Sequence, residues 1–351
     1  MKTKLPINGT PQAKKFIKMF ETCPDSQLKG MATKYGFSNI KYLKDSVRTR
    51  YSVSRGANDI PIEEMELPPI IMPKIKLKEF HPVTTQGDPE VQVLHLTDHH
   101  AGEITKSYNS KVFGFRLDQL FRSTLKITYL HRHMYPINEL VIFMTGDMVH
   151  GENPFQGAKA GSIECGAQEQ IFDISLPALT EFILSIKGEF LTVKIKCVPG
   201  NHGRYSKGAP DASNWDLILY KALQIALKPY GIDVEISNGF GLKTTVANHE
   251  FFLFHGHQVN ASQGVPYFAL VRAINSWYVT YGGFDYGVCG HFHKEDFLRV
   301  SAKAKLLMGA SLVSDDPFAL EIIKTSSIPC QWTFGVHERR GITWPYAMFP
   351  D

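Results

Sequence analysis

Five times along this chain a short apolar run ends and Asp, Asn or His residues follow, most of them beside glycine. The runs are 91–97, 139–145, 191–198, 250–254 and 286–289. After them come Asp98-His99-His100, Gly146-Asp147-Met148-Val149-His150-Gly151, Gly200-Asn201-His202-Gly203, His255-Gly256-His257 and Gly290-His291-Phe292-His293. Short apolar runs bounded by turn signals read as buried strands. Segments 113–131, 171–186, 215–227 and 269–281 have helical spacing, and 243–247 with 250–254 flank Asn248-His249 as a hairpin. Strands alternating with helices predict an α/β sheet, whose sites collect where loops leave the carboxyl ends of strands. One such ending proves nothing. Five with metal-ligand chemistry are hard to explain as packing.

The five pieces offer carboxylate, amide and imidazole ligands. That mix suits borderline divalent ions such as Mn, Fe, Zn or Co rather than the all-oxygen shell of Mg or Ca. Residues i and i+2 at a strand end point the same way, so Asp98 with His100, and His291 with His293, are expected to converge. The neighbouring glycines let backbones approach without a Cβ clash.

The order D-x-H, G-D-x-x-[DNH]-G, G-N-H, H-G-H, G-H-x-H, complete from Asp98 to His293, resembles the calcineurin-like metallophosphoesterase superfamily. The resemblance implies an α/β fold, a four-layer α/β/β/α sandwich. It also implies two divalent metal ions, with Mn the first expectation and Fe, Zn, Co or Ni the others. Asp98, His100 and His293 would hold one ion and Asn201, His255 and His291 the other. Asp147 and a water or hydroxide would bridge them, the hydroxide attacking phosphorus in line. His202 would protonate the leaving oxygen; its alternative is a structural hydrogen bond to a neighbouring carboxylate. Asn201 and Arg204 are the candidate substrate contacts, Arg204 either pairing with phosphate or lying solvated.

Other residues carry weaker signals. His99 is expected to face away from the site. His150 either orients Asn201 or a ligand, or simply packs. His257 flanks the site, and His95 is a core histidine. Glu103, His131 and His133 follow no pattern. Segments 153–168 and 205–214, the latter with Tyr205 and Lys207, are candidate groove walls. No role attaches to the tail with Arg339, Arg340 and Trp344.

The charge is uneven. Residues 1–55 hold twelve Lys or Arg and three acids, a surplus of nine, although the whole chain carries only +4. A basic end on an otherwise acidic chain is the pattern of a polyanion-binding module. Three short helices are expected, at 14–20, 27–35 and 39–51. Ala32 four residues before Gly36 resembles a helix-turn-helix. The third helix carries Lys41, Lys44, Arg48 and Arg50, which would meet phosphates first. The alternative is a basic helix pair that docks on the catalytic domain or mediates oligomerisation. The expected organisation is a small all-α N-terminal module at 1–56, a proline-rich linker at 57–90 and the phosphoesterase domain at 91–351.

The five cysteines are scattered and form no CxxC pair, which argues against a disulfide framework or a cysteine zinc site. No apolar run is long enough to span a bilayer, and residues 1–10 have no apolar leader core, so the expectation is a cytoplasmic protein without a membrane partner. The function expected first is a phosphodiesterase or nuclease acting on DNA or RNA. A phosphatase or diesterase for a small molecule or phosphoprotein is second. Third is a nucleic-acid-binding regulator with a silent site, which the intact ligand set opposes.

Overall fold

The computed structural model describes residues 5–6, 10–51, 77–152, 162–206, 211–259, 266–315 and 328–350. The chain divides into two units, Met1–Pro69 and Ile70–Asp351.

In the first unit three helices follow one another: α1 (Pro11–Thr22), α2 (Asp25–Tyr35) and α3 (Ile40–Tyr51). The Thr10 hydroxyl caps α1 by accepting from the Ala13 N–H, and Pro11 takes the first helical position, where a missing N–H does no harm. Gly36 ends α2 at φ 80°, and its N–H reaches the carbonyls of Ala32 and Thr33. Ala32 is buried with Ala13, Phe16, Leu43 and Val47, so the small side chain sits in the helix core. Lys14, Lys15, Lys18, Lys29, Lys34 and Lys41 are exposed. The side chains of Arg48 and Arg50 fall outside the described residues.

Among its described residues the second unit holds two sheets. The first runs β11-β10-β1-β2-β3-β4, with β12 also on β10. Its strands are β1 (Glu90–Leu96), β2 (Glu139–Met144), β3 (Thr192–Cys197), β4 (Asp233–Ile236), β10 (Gln331–His337), β11 (Gly341–Ile342) and β12 (Tyr346–Met348). β1 to β4 are parallel neighbours. They are connected by α4 (Ser110–Arg132), by one-turn α5 (Ala167–Glu169) leading through a π-turn (Gln170–Ser175) into α6 (Leu176–Lys187), and by α7 (Trp215–Leu227). The second sheet runs β5-β6-β7-β9-β8, from β5 (Gly241–Val246), β6 (His249–Phe254), β7 (Tyr286–Cys289), β8 (Asp296–Arg299) and β9 (Lys305–Met308), with α8 (Tyr267–Thr280) between β6 and β7. The expected hairpin is β5–β6, turned by Ala247 and Asn248 at φ 45° and 69°.

Three apolar layers separate four structural ones. Phe113, Leu120, Ile183 and Leu223 pack on Ile142 and Ile195 of the first sheet. Val93 and Phe143 meet Phe251, Leu253 and Val288 between the sheets. Phe252 and Phe254 meet Leu270 and Ile274 of α8. Successive β2 residues thus serve opposite cores, which is why this strand reads as a continuous apolar run.

The carboxyl-terminal segment is more than a packed tail. β10 is antiparallel to β1 and buried along its whole length. Its apolar face, Trp332, Phe334 and Val336, enters the core between the sheets. Its other face is polar but hydrogen-bonded: Thr333 Oγ1 pairs with Gln92, and Gln331 Nε2 donates to the Thr97 and Ala310 carbonyls. Those buried polar residues hid the strand from an apolar-run criterion. Trp344 Nε1 donates to buried Glu90, a partner the sequence did not reveal.

Of the segment expected as a linker, 57–76 lies outside the described residues. Residues 77–89 belong to the second unit, where Val83 exchanges two hydrogen bonds with the Asn138 side chain. Among the described residues, no helix is long and apolar enough to cross a membrane, and all five cysteines are free.

Candidate metal centre

The side chains at the five strand ends meet at one edge of the two-sheet stack. Asp98, His100 and His293 form one cluster and Asp147, His255 and His291 another, each with ligand atoms within 4.8 Å of one another. Convergence does not come from the strand pleat that the sequence pattern implied. β1 ends at Leu96 and β7 at Cys289, before the clusters begin. Asp98, His100, Asp147, His291 and His293 instead have φ of 51°, 47°, 53°, 71° and 52°. A non-glycine residue in that region is uncommon and mildly strained, and such residues gather at sites where side chains are aimed.

Glycine makes room for this geometry. A Cβ on Gly200 would lie 2.0 Å from Asp147 Oδ1, and one on Gly290 would lie 2.1 Å from Asp98 Oδ2. Neither position tolerates a side chain without displacing a carboxylate.

Each carboxylate is held by one oxygen. Asp98 Oδ2 accepts from Thr97 Oγ1 at 2.7 Å and from the His291 N–H at 2.9 Å. Its Oδ1 lies 3.7 Å from His100 Nε2 and 3.5 Å from His293 Nε2. Asp147 Oδ1 accepts from the His202 N–H at 2.8 Å, and its Oδ2 faces His255 Nε2 at 2.9 Å. His255 Nδ1 sits 2.7 Å from the Thr145 carbonyl, which can only accept, so the Nδ1–H donates and Nε2 is left to face the carboxylate.

The donor set fits divalent cations. Asp98 Oδ1 and Asn201 Oδ1 are buried with no hydrogen-bond partner. Buried polar atoms are nearly always paired, so a bare carboxylate oxygen among the ligand atoms of the Asp98 cluster calls for a cation. In the metal-free protein protons fill that role. Burial opposes the His100 cation, but Asp98 beside it, with Glu103 and Asp147, pushes its pKa up to about 9. Burial likewise opposes the His255 cation, and Asp147 outweighs it to about 9. Burial and the His255 charge push His291 down to about 3.

The remaining candidates divide clearly. His202 Nδ1 lies 3.2 Å from the His150 carbonyl, and its Nε2 lies 4.0 Å from Asp147 Oδ2, with its ring 4.4 Å from that of His100. His150 is in the site: its Nδ1 is 3.2 Å from Glu103 Oε2, and with His100 and His202 it makes a third cluster of ligand atoms. His257 flanks the site, its ring 5.5 Å from that of His255, and Arg204 Nη2 donates to its Nε2 at 2.6 Å. His99 is buried against Phe113, away from the clusters, and His95 is a core histidine 2.8 Å from Thr145 Oγ1. His131 stacks on Trp344, and His133 caps α4. Tyr205 is exposed; Lys207 and most of 153–168 lie outside the described residues.

Sequence reasoning missed two residues. Glu103 has no motif and reaches the site only because its loop folds back to His150. Asp216 is fully buried, and its carboxylate accepts from the N–H groups of Asp147 (2.9 Å), Met148 (3.1 Å) and Gly200 (2.8 Å). From the first turn of α7 it joins the turns that carry Asp147 and Asn201. An acid just after the Asn214 cap was the one available signal, and such acids are usually helix caps.

Fold and site together define a metal-dependent phosphoesterase hydrolase. The family model for calcineurin-like phosphoesterase matches residues 91–295, and the chain belongs to that family. No curated protein matches the chain. Among solved structures it is similar to wild-type Vps29 complexed with zinc from Entamoeba histolytica, at 13% identity over 74% of this chain and 99% of that one, TM-score 0.34. It is similar to a purple acid phosphatase from yellow lupin seeds, at 12% identity over 77% and 56%, TM-score 0.37. It is also similar to a dimetal phosphatase from Danio rerio, at 12% identity over 77% and 100%, TM-score 0.36.

Proposed function

We propose that the chain is a two-metal phosphodiesterase that cleaves nucleic acid, a nuclease with Mn as its working metal. Asp98, His100 and His293 are the residues to hold one cation. Asn201, His255 and His291 would hold the other, and Asp147 would serve both. When bound, two such cations lower the pKa of a water and offset charge on the phosphoryl oxygens. The chain's own residues do the rest. The His150 carbonyl accepts from the Nδ1–H of His202, and burial holds this ring well below the usual histidine pKa, so Nε2, 4.0 Å from Asp147 Oδ2, must first gain a proton before it passes one to the leaving oxygen. Glu103 holds the His150 ring beside it. Arg204, steadied by His257, offers guanidinium N–H groups to a phosphate oxygen, and Asn201 adds a substrate contact.

The observation that carries the step from phosphoesterase to nuclease is the basic three-helix unit. Its exposed lysines, Lys41 on α3 among them, give a sequence-independent hold on a phosphate backbone. The test is a Lys41→Glu/Lys44→Glu double variant of the full chain, assayed on labelled polynucleotide and on bis-p-nitrophenyl phosphate. The expected result is a loss of polynucleotide cleavage by about tenfold or more relative to the small diester, and a flatter salt dependence. Equal loss on both substrates, or no polynucleotide cleavage by the wild type, would hand the function to the small-substrate reading.

A further inference from the structure

Beside the metal-centre loops lies an open groove of about 480 Å³. It shares Gly200, Arg204 and His257 with the turns that carry Asn201, His202 and His255, so it continues directly from the site. Among the described residues its lining holds two cations, Arg204 and Lys221, and no carboxylate. The lining also includes apolar Leu217, Ile218, Ile236 and Phe240 beside polar Asn214, Ser237 and Asn238. Ile218 and Lys221 are three residues apart on α7, hence on one face. Ile218 is 39% exposed, so its side chain is accessible from the groove. Phe240 is braced from behind by Trp277 at 5.3 Å and Phe252 at 6.2 Å, which makes it a fixed surface.

We propose that this groove binds one of the two nucleosides flanking the scissile phosphate, its base against Ile218 and Phe240 and its next phosphate at Lys221. The proposal rests on the nucleic-acid reading above and names its subsite. Groove volume lies within the range of small-molecule sites, with room for one nucleotide unit. A lone phosphate or a phosphoserine would use Arg204 and leave the apolar wall and second cation idle. A nucleotide joined to a further phosphate uses all three, because stacking is indifferent to base identity and the cation meets the backbone.

The experiment compares full-length wild type, Lys221→Ala and Ile218→Asp with Mn on two substrates, trithymidylate and bis-p-nitrophenyl phosphate. Both altered side chains are exposed or at the surface, and melting curves verify folding. The expected result is a rise of about tenfold or more in the ratio of KM for trithymidylate to KM for the small diester, with kcat moving much less. An unchanged ratio in both variants, with trithymidylate still cleaved, overturns the groove assignment and leaves the nuclease reading standing. A wild type that hydrolyses the small diester but not trithymidylate overturns both.

Discussion

The Nε2 atoms of His100 and His293, 193 positions apart in the chain, face each other at 3.1 Å. Two neutral imidazoles cannot present lone pairs to one another at that distance. Either one ring donates its Nε2–H to the other or a cation sits between them, and Asp98 Oδ1 beside the pair favours positive charge there. Metal removal should therefore loosen the second unit. Mn at about 100 times its Kd should add about 2.7 kcal/mol and raise the melting temperature by several degrees. Differential scanning calorimetry with and without chelator measures this, and His100→Ala should abolish most of the shift.

Metal uptake should release protons at neutral pH. His100 and His255 are held at about 9 in the metal-free protein, so both are cationic at pH 7 and must deprotonate to become ligands. The sign is definite: apparent affinity rises with pH and levels off above about 9. Calorimetric titration of Mn at pH 7 in buffers of different ionisation enthalpy should show proton release. Buffer-independent heats would contradict the assignment of these two residues.

Glycine substitutions separate space from chemistry. Gly200→Ala and Gly290→Ala should each lower kcat by about 100-fold or more and weaken Mn binding, because the new Cβ displaces Asp147 or Asp98. Gly114→Ala is the control. It lies inside α4 with nothing within 4 Å of the added Cβ, and should raise stability by about 0.5–1 kcal/mol without affecting turnover.

Asp216 tests the scaffold beneath the site. Asp216→Asn points an amide donor at backbone N–H groups that now meet an acceptor. The expected cost is about 1–3 kcal/mol of stability, and Mn affinity should fall by about 10–100-fold although no proposed ligand has changed. Equilibrium denaturation and Mn titration measure the two effects separately.

Much of this was legible because motif and strand end coincide. The runs before Asp98, Asp147 and His291 are buried on both sides, so apolarity marked them as strands. Trp215–Leu227 and Tyr286–Cys289 fall where periodicity placed them. The rest was hidden for physical reasons. β10 buries Gln331 and Thr333 by pairing them, and hydropathy does not register pairing. Residues 170–175 form a π-turn rather than regular helix, where Gln170 leaves the helical face to hydrogen-bond both the N–H and carbonyl of Gly151. The left-handed backbones of Asp98 and His100 follow from tertiary contacts across 190 residues or more, such as the bond from the His291 N–H to Asp98, and no local pattern encodes them.

The most direct test is metal-dependent ester hydrolysis. Metal-stripped full-length protein is assayed on bis-p-nitrophenyl phosphate and on p-nitrophenyl phosphate before and after Mn is restored, with Asp147→Asn alongside. The expected result is diester hydrolysis that appears with Mn, far exceeds monoester hydrolysis and is lost in Asp147→Asn. Protein that takes up two equivalents of Mn yet hydrolyses neither ester, or hydrolyses the diester equally well without metal, would contradict a two-metal phosphodiesterase.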